Sequence, residues 1–177
     1  RGRIRLNLTD VTRHLDQLRA ATALSTPELV GPYDLSVAGW MSYWSSVRGG
    51  IERHAERERE ALETFGLLEH RVKLVSRLSH GQRRCLDLAR VWAIDPQIYL
   101  LDQPDSFLDG ESFSLLYKAL KALKKRQRTV IIASNSSHFP FKFCNRVAQL
   151  KDGYIGEERT PDQDDFQAFV HKAQGWR

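Results

Sequence analysis

Leu78-Ser79-His80-Gly81-Gln82 runs through Arg83-Arg84-Cys85-Leu86-Asp87-Leu88-Ala89-Arg90 and, a few residues on, reaches Ile98-Tyr99-Leu100-Leu101-Asp102-Gln103-Pro104. This stretch decides the fold. Residues 79–94 read as a helix with Ser79 as a natural N-cap, and Gly81 permits close backbone approach to a ligand. The unpaired N–H groups and positive dipole end of such a terminus can hold a phosphate. Residues 97–101 read as a short apolar strand that delivers the carboxylate of Asp102 to the sheet edge. An aspartate there can hold Mg²⁺ directly or through water. Ser106-Phe107-Leu108-Asp109 forms a short turn after the strand.

The pattern continues on both sides. Residues 111–126 predict an amphipathic helix with Phe113, Leu116, Leu120 and Leu123 on one side, followed by a β-branched strand over 129–134. A further strand over 146–151 leads through the Asp152-Gly153 turn to Tyr154 and Ile155, a strong hairpin signal. Upstream, residues 3–6 alternate as a short strand, 7–10 are turn-prone, 14–20 form a short helix and 21–25 a short strand. Pro27, Gly31 and Pro32 break residues 26–35 into a loop. Val37, Trp40, Met41, Trp44 and Val47 recur at helical spacing, and a second helix over 52–65 ends at Gly66, so residues 36–76 read as helical throughout. The tail, 161–177, is expected to form one short helix. Strands alternating with helices predict an α/β fold whose mainly parallel sheet is flanked by helices. Ligands gather at the carboxyl ends of such strands, where Asp102 and Ser134 fall.

Composition fits a globular chain: 177 residues with 41% apolar and 28% charged residues exclude disorder and collagen-like repeats. No apolar run approaches the ~20 residues of a membrane span. The formal charge of +5 is compatible with an acidic partner without requiring one. The charges from Arg48 to Glu60 alternate in sign and predict a solvated helix face, and the basic cluster from Lys118 to Arg128 suits a helix C-terminus. Cys85 and Cys144 lack metal-ligand spacing and fit no disulfide framework, so a reducing compartment is expected. The sequence opens at Arg1 and its sole methionine is Met41, so the natural start is expected upstream.

Residues 78–109 resemble the nucleotide-binding domain of an ATP-binding cassette (ABC) transporter. Leu78 to Gln82 is similar to the signature motif, Leu-Ser-Gly-Gly-Gln, Leu100 to Pro104 to Walker B with its following residue, and Ser106 to Asp109 to the D-loop. Residues 1–12 resemble the segment after the Walker A helix, Asp34 to Val37 the start of the helical subdomain, and Lys151-Asp152-Gly153 the late hairpin. The resemblance covers about residues 1–158 and implies a P-loop-NTPase-like fold with an inserted helical subdomain, the N-terminal strand and P-loop lying outside the chain. It divides the sequence into a partial N-terminal core (1–35), a helical subdomain (36–77), the second half of the core (78–158) and a tail (159–177). The helix ending in Val47-Arg48-Gly49 is most similar to ATPases of ABC-2-type and haem-exporter-like systems.

Departures from the family pattern set the functional expectation. No Gly-Lys pair, as in a P-loop's Gly-x-x-x-x-Gly-Lys-Ser/Thr, occurs anywhere in the chain. The family's glutamate after Walker B is Gln103, and an amide cannot serve as general base. The switch histidine falls on Asn135, with His138 out of register, the Q-loop glutamine near Thr26 is missing, and His80 replaces the first signature glycine. Gln103 alone would suit an engineered ATP-bound trap; the changes together read as a degenerate cassette. The chain is therefore expected to be an ATP-binding subunit or pseudo-subunit of a membrane transporter, unable to hydrolyse ATP alone. It would lend Ser79, His80, Gly81 and Gln82 of the signature to a partner's nucleotide, with Ser106 and Asp109 as its D-loop residues. Asp102 would meet Mg²⁺ only with a bound nucleotide, and Trp40, Tyr43 and Trp44 would contact a partner. The expected partners are a membrane-embedded transporter subunit, a second ABC ATPase subunit, or both, which places the chain peripherally on the cytoplasmic or matrix side, without specific nucleic acid. The alternative is a catalytically dead scaffold in a larger complex. An autonomous ATPase would need a P-loop upstream and an engineered Gln103.

Overall fold

The structure, a computed structural model, describes residues 2–48, 54–136, 139 and 143–160. The chain divides into two compact units, residues 1–133 and 134–177.

The first unit opens with a two-stranded antiparallel hairpin, β1 (Arg5–Leu6) and β2 (Thr9–Asp10), paired Arg5↔Asp10 and Leu6↔Thr9. The turn is confined to Asn7 and Leu8, at φ 47° and 70°, rather than spanning residues 7–10 as the sequence suggested. Helix α1 (Leu15–Ala21) leads into β3 (Thr22–Ser25). Helices α2 (Val37–Val47) and α3 (His54–Thr64) follow, then α4 (His80–Ile94), β4 (Ile98–Asp102), α5 (Gly110–Lys125) and β5 (Thr129–Ala133).

Strands β3, β4 and β5 form a three-stranded parallel sheet with β4 in the centre. This is the expected α/β class. Alternation in β4 sends Tyr99 and Leu101 into the core, while Ile98, Leu100 and Asp102 point to the opposite face. An aromatic chain ties the helices to that core: Trp92 meets Phe65 at 5.1 Å and Tyr99 at 5.2 Å between ring centroids, both edge-on. Leu116, Leu120 and Leu123 bury the inner face of α5, as its periodicity predicted. On the other face of the sheet, Leu24, Leu100 and Ile131 stand in register across three strands, with Leu24 and Ile131 about half exposed.

The segment after α3 differs from the expectation of continuous helix. Gly66, at φ 68°, stops α3, and residues 67–79 contain only two single 3₁₀ turns, Leu68–His70 and Val75–Arg77. Tertiary pairing outcompetes local helix here. Val37 and Ala38 N–H groups donate to the Lys73 and Arg71 carbonyls, and Val75 and Ser76 N–H groups donate to Leu35 and Tyr33. Glu58 also departs from the predicted solvated face. It is buried, and its carboxylate accepts hydrogen bonds from Ser42 and Ser45 of α2.

The second unit holds the antiparallel hairpin β6 (Val147–Lys151) and β7 (Tyr154–Arg159), turning at the expected Asp152 and Gly153. The predicted tail helix over 161–177, His138, and the start of the predicted helix over 52–65 lie outside the described residues.

Candidate functional site

The N-terminus of α4 carries a reciprocal polar cap. Ser79 Oγ accepts from the Gln82 N–H at 3.2 Å, and Gln82 Oε1 accepts from the Ser79 N–H at 3.1 Å, a complete capping box. Gln82 Nε2 lies 2.9 Å from His70 Nε2, so the glutamine side chain is engaged at both ends within the chain. His80 and Gly81 occupy the first turn, and Ser79 and His80 are exposed.

The turn after β4 lies against this terminus. Gln103 adopts a left-handed φ of 44°, its N–H donates to the Ala133 carbonyl at 2.7 Å, and its own carbonyl accepts from Ser106 N–H at 3.1 Å. Its side-chain Oε1 accepts from Ser106 Oγ at 3.3 Å. Phe107 follows at φ 64°, with a largely exposed ring. The rings of His80 and Phe107 lie 5.9 Å apart, and a β-carbon on Gly81 would come within 2.9 Å of the Phe107 carbonyl oxygen. Only glycine fits at position 81 without displacing that backbone. The structure thus brings His80 and Gly81 together with the turn carrying Ser106 and Phe107.

Asp109 caps α5: its Oδ1 accepts from the Ser112 N–H at 2.8 Å, and that bond holds its carboxyl below the usual range. Burial pushes the nearby Cys85 thiol up, as befits a packing cysteine rather than a nucleophile. Asp102 sits half-buried at the strand end, where it could supply one ligand to a metal. Among the described residues no group of three or more His, Cys, Asp or Glu is placed to hold a metal ion. Asn135 is exposed in a bend of the second unit.

Beneath these residues lies a buried polar network whose role the sequence pattern did not reveal. Arg84 Nη1 donates to Ser25 Oγ at 2.9 Å and to the Thr26 carbonyl, and Nη2 donates to the Asp102 carbonyl at 2.8 Å. Asp87 Oδ2 accepts from Ser25 Oγ at 2.7 Å, while its Oδ1 accepts from Arg90, which also bonds the Leu24 carbonyl. Arg84, Asp87 and Ser25 are all buried. The available signal was the spacing Arg84, Asp87, Arg90: charges every three residues on one helix, on the side occupied by Leu88 and Val91.

One expected partner contact is corrected. Trp40 is fully buried, its ring edge-on to Trp44 at 5.8 Å, so it belongs to the core of the helical region. The apolar spacing that marked it served packing. Trp44 is half-buried under the Arg90 guanidinium at 5.2 Å, and Tyr43 is exposed.

A parallel sheet flanked by helices, with a capped helix terminus against the turn beyond its central strand, is an α/β architecture whose strand ends are where ligands gather. Comparison with known proteins specifies the family. The family model for ABC transporters matches residues 1–106. The chain is 32% identical over 161 residues to a sulfate/thiosulfate import ATP-binding protein of Chromobacterium violaceum, covering 90% of this chain and 44% of that protein. It is 35% identical over 108 residues to a probable amino-acid ABC transporter ATP-binding protein of Haemophilus influenzae, covering 61% of this chain and 42% of that protein. An ATP-binding subunit of an ABC transporter superposes with a TM-score of 0.81 at 17% identity, over 96% of this chain and 71% of that one. The cbiO1 subunit of Clostridium perfringens, part of the transporter complex cbiONQ, gives 0.77 at 22% identity, over 100% of this chain and 73% of that one. The chain belongs to the ABC transporter family. It spans less than half the length of these two curated relatives.

Proposed function

We propose that this chain is an ATP-binding component of a membrane transporter that does not turn over ATP by itself and lends its α4 terminus to a nucleotide held by a partner subunit. The observation that carries this reading is the pairing of an assembled, exposed α4 terminus with an amide at position 103. Ser79 and His80 are exposed, with Gly81 half-buried beside them, at a helix start that suits a phosphate. Gln103 has no proton-accepting carboxylate for water activation, and its Oε1 is already bonded to Ser106. In this reading, residues 1–35 and 78–158 are core, residues 36–77 dock on the membrane subunit with Tyr43 exposed to it, and 159–177 are a tail. Mg²⁺ would arrive on the nucleotide, with Asp102 adding one carboxylate and Ser106 and Asp109 shaping the adjoining turn. Among the described residues no helix is long and apolar enough to cross a membrane. In the transporter reading, attachment runs through the partner on the cytoplasmic or matrix side.

The experiment is MgATP hydrolysis by the complex recovered with the full chain. Ser79→Ala and Gly81→Trp should each lower its kcat at least about tenfold, the scale of one lost transition-state hydrogen bond. A second reading, a catalytically silent scaffold, is favoured by Gln82, whose side chain is bonded to Ser79 and His70 rather than offered outward. If the two substitutions change only complex assembly, the scaffold reading stands.

A further inference from the structure

We propose that Arg84 is a positioning residue that ties the open end of the sheet to the signature helix, setting the separation of Thr26 at the end of β3 from Asp102 at the end of β4. The inference rests on reading residues 79–82 as nucleotide-facing.

The ladder explains why a clamp is needed there. Pairing of β4 with β5 runs to Asp102↔Ala133 and is extended by the Gln103 N–H to the Ala133 carbonyl. Pairing of β3 with β4 stops one residue earlier, at Ser25↔Leu101. Past that point the Thr26 and Asp102 carbonyls have no partner strand between them, and an unpaired buried carbonyl is costly. The Arg84 guanidinium donates to both, with Nη1 on Thr26 and Nη2 on Asp102, and its Nη1 also reaches Ser25 Oγ. A planar fork can bridge two acceptors at a fixed spacing; a lysine ammonium is a point charge on a flexible stem.

The surroundings argue for geometry over packing. The Arg84 side chain is 1% exposed and its ion pair with Asp87 is long, at 3.4 Å, while Asp87 lies 2.7 Å from Arg90. Arg84 Nε has no acceptor among the described residues. Burial pulls the guanidinium pKa down, opposed by the charges of Asp87, Asp102 and Asp105. An apolar side chain of similar volume would fill the space without this desolvation cost. What only the guanidinium supplies is the bridge. Arg84 also stands five residues after Ser79 on one rigid helix, a rise of about 7.5 Å. The signature terminus and the backbone of Asp102, at the end of the Walker B strand, are thereby held by one element.

Amide hydrogen exchange on the full chain tests this. Arg84→Met should speed exchange roughly tenfold or more both in the β3 ladder over Thr22–Ser25 and at the hydrogen-bonded amides of Gln103 and Ser106, while leaving α5 protected. Arg84→Lys keeps the charge but cannot span both carbonyls, so at least one strand end should remain fast. Wild-type protection at both ends in Arg84→Lys, or an even loss of protection across α4 and α5, overturns the proposal. If Arg84→Met does not fold, Arg84→Lys decides the matter alone. In the complex recovered with the full chain, Arg84→Lys should cut the kcat for MgATP about tenfold with KM within about twofold. If the wild-type complex shows no MgATP hydrolysis, the nucleotide-facing reading fails, and the exchange result still judges the clamp.

Discussion

Gly81 and Phe107 touch backbone to backbone: a β-carbon at position 81 would sit 2.9 Å from the Phe107 carbonyl oxygen. This contact joins the first turn of α4 to the left-handed residue of the turn beyond β4. Helix propensity and packing pull in opposite directions there. Alanine in a helix is favoured over glycine by up to ~1 kcal/mol, whereas forcing a methyl against a carbonyl costs about 1–3 kcal/mol. Packing wins, because the Phe107 carbonyl belongs to the backbone and cannot rotate away.

Gly81→Ala should therefore lower the melting temperature by a few degrees, at about 2–4 °C per kcal/mol for a chain of this size. Gly110, at the start of α5, is the control, because a β-carbon there would meet nothing within 4 Å. Gly110→Ala should leave melting unchanged or raise it slightly. Equal losses at both positions would show that the Phe107 contact has no energetic weight.

The buried charges between α4 and β3 make a second prediction. Removing Asp87 leaves Arg84 buried without its ion-pair partner, a change that costs about 3–5 kcal/mol in such settings. Asp87→Ala should be severely destabilised in urea titration. The double variant Arg84→Met with Asp87→Ala should lose less than the sum of the single changes, because no unpaired charge is left at position 84. Strict additivity would deny the coupling.

Most of this architecture can be read from residue patterns, and the exceptions share a cause. The helix of residues 80–94, the β4 strand and the Asp152-Gly153 hairpin all follow from local rules: a serine cap, an apolar run, a turn dipeptide. Residues 67–79 escape those rules because backbone groups of Arg71, Lys73, Val75 and Ser76 pair with residues 33–38, far away in sequence. Trp40 was legible as part of an apolar stripe, but periodicity alone cannot say which members of a stripe are covered. The contact of Gly81 with Phe107 and the bonds of Arg84 to Thr26 and Asp102 are relations in space between separate elements. The sequence shows their members without their meeting.

Gly31 makes a third prediction. Its φ of 138° favours glycine, and a β-carbon there would stand 2.7 Å from Trp40 Nε1 and 3.1 Å from Trp44 Nε1. Trp40 is fully buried and cannot swing aside, so strain and overpacking add. Gly31→Ala should destabilise the chain by about 2–4 kcal/mol and shift its tryptophan emission to the red. Unchanged emission with lost stability would locate the damage in the backbone conformation rather than at the tryptophans.

Asp95 is one carboxylate whose ionised form stabilises the first unit. Burial raises its pKa, but the Tyr99 hydroxyl at 2.9 Å and the Arg126 and Arg128 guanidiniums at 2.7 and 2.9 Å outweigh that and hold the carboxyl below its ordinary range. A depressed folded-state pKa contributes stability above the unfolded value, about 3.9, and that contribution disappears as pH falls through the folded value. Both arginines come from the end of α5 and the start of β5, so protonating Asp95 loosens the joint that closes α4 onto them. Asp95 is also the left-handed C-cap of α4 at φ 49°, a conformation asparagine tolerates. Asp95→Asn should thus keep the cap but remove the charge, lowering stability at pH 7, with the gap between wild type and variant narrowing as pH falls through the lowered folded-state value. Urea midpoints at pH 7, 5, 4 and 3 measure this, and parallel curves across that range would assign the pH dependence to other carboxylates.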